Sequence, residues 1–252
     1  MTPRRTTARS AAPIALAVLA LMVGLVVASA VSAPARKASA EGGAHAGDTA
    51  PAPPSTAATP APTTTTRPAV PIVAVVGDSL AYSAATALDA ALRAAGADPV
   101  LRVAPGRRIP VWGLDGQISP GLDEAKELRS STPAVWVVQL GTNDIAAEPL
   151  DRARYRELVT TMLDTIGADV PVVWVNVHRD DRPEASRAFD DTLRVVARTW
   201  PNLTIADWDA VAGNEQVLAA DGIHLDTAGA DRFVETIALA VREAGSAAGA
   251  LP

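Results

Sequence analysis

Four short stretches hold the side chains with chemical potential: Gly77-Asp78-Ser79-Leu80, Gly141-Thr142-Asn143-Asp144, Asn176 with His178, and Asp221-Gly222-Ile223-His224. A serine hydroxyl is a nucleophile near neutral pH only when a base takes its proton and a third group orients that base. The spacing of Asp221 and His224 lets one loop supply both parts: the carboxylate binds imidazole Nδ1–H, and Nε2 is left for Ser79. His178 is the rival base; Asp180 and Asp181 come after it, though at a different spacing. Asn143 offers an amide nitrogen suited to an oxyanion, and Gly141 lets the backbone turn closely beside it. Taken singly, each stretch has a plainer reading. Ser79 can simply cap a helix, Gly141 to Asp144 is an ordinary turn sequence, and His178 can be a polar rim residue.

These stretches fall at the ends of apolar runs. Residues 72–76, 100–103, 134–140, 170–177 and 203–206 read as strands rich in Val and Ile. Between them, helical spacing of apolar residues predicts helices over 80–95, 122–129, 151–166, 183–200 and 227–244. Pro183 suits a first turn, with Phe189, Leu193, Val196 and Trp200 on one face. Apolar strands alternating with helices imply a parallel sheet covered on both faces, hence a three-layer α/β/α domain with five strands. In such sheets ligands bind outside the carboxyl ends of the strands, which is where Ser79, Asn143 and His178 stand. A strand-to-helix turn would also leave the Ser79 N–H without an intrahelical partner, free to donate to an oxyanion.

The ordered set GDSL at 77–80, GTND at 141–144 and DGIH at 221–224 resembles the SGNH hydrolases, or GDSL esterases and lipases. The resemblance spans about residues 70–244. It implies a flavodoxin-like strand order 2-1-3-4-5. It also implies catalysis by Ser79 as nucleophile, His224 as base and Asp221 as its orienter. The oxyanion hole would be formed by the Ser79 N–H, a glycine N–H and the Asn143 side chain. The glycine is where this chain departs from the family: the region after the second strand reads Val103-Ala104-Pro105-Gly106-Arg107-Arg108. Gly106 is favoured by position, with Gly113 as the substitute. Asp78 is expected to order the nucleophile loop, and Gly141 to support the oxyanion loop. Arg107 and Trp112, with Arg108 and Asp115, are expected to line a substrate pocket. The wording VVWVNVHRDDRP, TIADWD and DGIHLDTAGA is similar to SGNH domains that accompany envelope acyltransferases.

The remaining chain bounds the setting. Residues 1–33 read as a signal peptide or signal-anchor: Arg4, Arg5 and Arg9 precede an apolar run at 14–27 and small residues that fit a cleavage site. Either form places residues 36–252 outside the cytoplasm, secreted or tethered to the outer face of a bacterial cytoplasmic membrane. Residues 34–69, rich in Ala, Pro and Thr, read as a disordered linker, 70–246 as the hydrolase domain and 247–252 as a disordered tail. Net charge is +4 over residues 1–69 and −10 over 70–252. That excludes nucleic acid as a natural partner. There is no Cys, which removes disulfides and thiolate chemistry, and no HExxH, P-loop or dinucleotide fingerprint, so no metal or cofactor is expected. The expectation is a monomeric enzyme with an open cleft, acting on short-chain or O-acetyl esters of envelope glycans or lipids. Acyl transfer to a sugar hydroxyl, and a non-catalytic glycan- or partner-binding domain, are the alternatives.

Overall fold

A computed structural model describes residues 70–114, 116–147 and 149–251. The expected export segment and linker lie outside them, as does Asp115. Within them the chain runs β1 (Ile72–Gly77), α1 (Ser79–Ser83), α2 (Ala85–Ala94), β2 (Asp98–Val103), α3 (Gly121–Leu128), β3 (Val135–Gln139), α4 (Asp144–Ala147) and α5 (Arg152–Ile166). It continues β4 (Val172–Val175), α6 (Pro183–Ala197), β5 (Leu203–Ala206), α7 (Trp208–Ala212) and α8 (Thr227–Ala247). The five strands are all parallel, in the order β2-β1-β3-β4-β5.

The period of two along each strand builds two cores. Val73, Val75, Val135, Val137, Val173 and Val175 face one side, packing with Leu88, Leu92, Trp208, Phe233, Ile237 and Val241. Ala74, Val76, Trp136, Val138, Val172 and Trp174 face the other, packing with Leu128, Leu158, Met162, Phe189 and Leu193. Both faces are buried, which is why the central strands carry no alternating polar residues. Each fully buried valine stabilises the fold by about 1.5–3 kcal/mol relative to exposure, before any correction for structure left in the unfolded chain.

The sheet positions the site through its topology. From β1 the chain moves outward to β2 and then returns to the other side of β1 as β3, so the strand order reverses between β1 and β3. Gly77 and Gln139 are register partners at the ends of those strands. The loops carrying Ser79 and Asn143 therefore leave the sheet at one edge, at the switch point where open α/β sheets bind ligands.

Four details differ from the sequence reading. The helix expected over 80–95 breaks at Ala84 into α1 and α2. Helix α6 stops at Ala197, leaving Trp200 half-buried beyond it, and the short helices α4 and α7 have no counterpart among the expected elements. The disordered tail expected from residue 247 is also overturned as far as Leu251. The chain turns back so that Ala250 N–H donates to Gly245 O at 2.8 Å, and Leu251, 8% exposed, packs into the core on the Val73 side of the sheet.

Candidate active site

Local hydrogen bonds first decide what Ser79 is not. The cap of α1 is Asp78, whose carboxylate accepts from Leu80 N–H at 3.1 Å. Ser79 is the first helical residue, so its hydroxyl is released from capping. Gln139, at the end of β3, pins the turn through Oε1, which accepts from Asp78 N–H at 3.1 Å and Ala81 N–H at 3.2 Å. Asp78 is fully buried, and that burial pushes its carboxyl up to about 6 against the hydrogen bonds from Leu80, Gln139 and Thr142 and the attraction of His224.

Ser79 Oγ lies 3.1 Å from His224 Nε2, and His224 Nδ1 lies 2.7 Å from Asp221 Oδ2. With Nδ1–H donating to the carboxylate, Nε2 is the acceptor facing the serine hydroxyl. Asp221 Oδ1 also accepts from the N–H groups of Ile223 and His224, both at 3.0 Å, so its own turn fixes the carboxylate. Partial burial raises the Asp221 carboxyl, but the His224 ring and these two N–H groups outweigh it and bring it down to about 2. The side chains of Asp221 and His224 are each 49% exposed, so the line of hydrogen bonds opens to solvent. The rival base is placed elsewhere: His178 has Asp209 Oδ1 at 2.8 Å from Nδ1 and Asp180 Oδ1 at 3.2 Å from Nε2.

Asn143 reaches the same edge. Its Nδ2 donates one N–H to Arg107 O at 3.1 Å, which leaves the second for another acceptor. Of the two candidate glycines, Gly113 has its N–H committed to Ile118 O at 2.8 Å. Among the described residues neither the Gly106 N–H nor the Ser79 N–H makes a hydrogen bond, and Gly106 is the glycine that remains available. The Gly106 turn is held by Asp144, fully buried, whose two carboxylate oxygens accept from Ile109 N–H at 3.0 and 3.2 Å. Gly141 takes φ +124° with Phe189 packed against it, a conformation and a contact that a side chain would disturb.

The expected pocket residues separate. Arg107 is only 4% exposed, so its guanidinium is turned into the protein. Its guanidinium bonds to Ser119 O at 3.1 Å, to Glu124 Oε1 at 3.0 Å and to the carbonyl of Arg102, closing the loop after β2 from within. Arg108 Nε sits 3.8 Å from Asp144. Trp112 is 57% exposed beside Val111 and Leu114, so it is a surface side chain and not part of the core. Sequence reasoning assigned no role to Gln139 or Asp144. Their signal was a polar residue ending an otherwise apolar strand, and a buried acid closing the second motif. Among the described residues no group of three or more His, Asp or Glu side chains is placed to hold a metal ion.

No protein-family model matches the chain, and no curated protein matches it in sequence. Its fold is shared by solved structures. TesA superposes with a TM-score of 0.56 at 21% identity, over 69% of this chain and 99% of TesA. The C-terminal catalytic domain of Streptococcus pneumoniae peptidoglycan O-acetyltransferase A, as a methylsulfonyl adduct, gives 0.52 at 24% identity over 70% and 96%. A carbohydrate esterase of family 3 from Talaromyces cellulolyticus gives 0.53 at 16% identity over 69% and 97%. At these identities the likeness is one of fold.

Proposed function

We propose that this chain is an exported serine ester hydrolase of the SGNH type, acting on short-chain or O-acetyl esters of cell-envelope glycans or lipids. The observation that carries the reading is the unbroken line from Asp221 through His224 to Ser79 at the sheet's switch point. The ordered motifs support it, and so does a fold shared with an O-acetyltransferase domain and a carbohydrate esterase.

The mechanism is two-step acyl transfer. His224 Nε2 takes the proton as Ser79 Oγ attacks the ester carbonyl, and Asp221 stabilises the imidazolium so formed. The tetrahedral oxyanion rests on the Ser79 N–H, the Gly106 N–H and the free N–H of Asn143. The C–O bond to the alcohol breaks, and the alcohol leaves with the proton held by His224. Water, activated by the same imidazole, then releases the acid from Ser79.

The half-exposed site also favours a second reading, in which a sugar hydroxyl takes the place of water and the product is an acyl sugar. Hydrolysis of p-nitrophenyl acetate by the protein, lost in Ser79→Ala, tests the chemistry; retention of full activity in that variant would sink it. The same assay with a sugar acceptor, followed for acyl-sugar formation, separates transfer from hydrolysis.

A further inference from the structure

The segment that leaves β4, His178-Arg179-Asp180, takes no part in the acyl-transfer chemistry, yet it is bonded to both sides of the site. Arg179 is 9% exposed and donates from Nη1 to Thr142 O at 3.1 Å, the carbonyl immediately before Asn143. Its Nε and Nη2 make paired bonds to Asp181, each 2.9 Å, so the guanidinium plane is fixed before it reaches Thr142. Asp180 donates its N–H to Gly222 O at 3.0 Å, in the turn between Asp221 and His224. The Asp180 side chain also lies flat on Gly222: a Cβ there would come within 2.6 Å of Asp180 Cβ and Oδ2. His178 holds Asp180 from behind. Its ring joins the Asp180 carboxylate to Asp209, whose own N–H is bonded to Asn176 Oδ1 at 2.8 Å at the end of β4.

The oxyanion donor and the base thus sit on loops some eighty residues apart in sequence, and one three-residue segment grips both. We infer that Arg179 and Asp180, with His178 as their support, are positioning residues that set the Asn143 donor against the His224 base. The inference rests on the ester-hydrolase reading. Its physical basis is that oxyanion donors act only within about 2.7–3.1 Å, and a displacement of about 1 Å costs on the order of 10²-fold in rate. A charged N–H on the Thr142 carbonyl, in a nearly buried setting, holds that tolerance better than a solvated loop would.

A double-mutant cycle on p-nitrophenyl acetate hydrolysis tests this. Arg179→Ala is expected to lower kcat on the order of 10²-fold with KM unchanged. In an Asn143→Ala background the same substitution should cost less than about threefold, since the donor it positions is already gone. Arg179→Lys, which keeps the charge but loses the paired geometry, covers the case in which the alanine variant does not fold; it should show the same non-additivity with a smaller loss. Equal losses in the two backgrounds, or wild-type kcat in Arg179→Lys and Arg179→Ala, would overturn the inference. Amide exchange is read in parallel, independently of turnover. Arg179→Lys should speed exchange in 141–144, and His178→Asn in 221–224, while unchanged exchange in both loops overturns the inference. A wild-type protein without esterase activity but with these exchange changes would refute the reaction and leave the brace.

Discussion

Ser79 and His224 are 145 residues apart in sequence, yet Oγ and Nε2 stand 3.1 Å apart at the carboxyl edge of the sheet. In the proposed mechanism the pair acts as a unit, because the hydroxyl is inert without the base and the base has nothing to activate without the hydroxyl. Ser79→Ala and His224→Ala should each lower kcat for p-nitrophenyl acetate by on the order of 10⁴–10⁶-fold. The double variant should be scarcely worse than either single one, which steady-state kinetics on all three will check.

In the proposed mechanism Asn143 contributes a donor that matters only once negative charge develops on the carbonyl oxygen. Asn143→Ala should therefore reduce kcat about 10²–10³-fold, or about 2.7–4 kcal/mol of barrier, at nearly constant KM. A change confined to KM would instead make Asn143 a ground-state contact.

Gly222 has φ +66° with Asp180 pressed against it, so Gly222→Ala meets both a strained backbone and a steric clash. The turn that carries Asp221 and His224 must shift. The expected result is a loss of more than about 1 kcal/mol in urea unfolding together with a fall in kcat.

Asp221, held near 2, stays a carboxylate throughout the working pH range. Asp221→Asn should accordingly depress kcat at every pH from about 5 to 9, by as much as ~10⁴-fold, and not merely move one limb of the profile. The pH–rate profile of that variant is the check.

Asp190 gives a pH effect on stability that is separate from catalysis. It is 1% exposed and accepts from Val177 N–H at 2.9 Å. Burial, aided by the negative charges of Asp209 and Asp207, pushes it up to about 8 against the Val177 bond and Arg194. Between about pH 4, where an unfolded aspartate loses its proton, and about pH 8, the folded state binds the extra proton, so stability falls as pH rises through this window. Asp190→Asn should flatten that slope, leaving the smaller contribution of Asp78 between about 4 and 6. Urea midpoints at pH 5 and 8 for both proteins measure it.

The strands and the three motif loops were legible because their signals are local: β-branched runs such as 134–140 stop at residues that only a turn or a site would carry, whereas the strand order followed only from the family resemblance. What failed depended on partners distant in sequence. Arg107 reads as a surface arginine until Glu124 and Ser119 fold over it. The break at Ala84 lies among alanines and a serine, where propensity marks no boundary; the bond from Ala81 N–H to the distant Gln139 belongs to that first turn alone. The C-terminal Gly249-Ala250-Leu251 reads as disordered on composition, and Leu251 finds its place only because Gly245 leaves room for it. Gly106 was favoured by position alone; that Ile118 O occupies the Gly113 N–H could be known only from the fold.

Helix α1 is capped by Asp78, which leaves the neighbouring serine with no structural duty. An alanine at position 79 thus removes a reactive oxygen and nothing that the fold depends on. On the proposed ester-hydrolase reading, such a protein keeps its three oxyanion donors and loses only its nucleophile. It is a bait, and the ester it retains from an envelope extract would name the substrate directly.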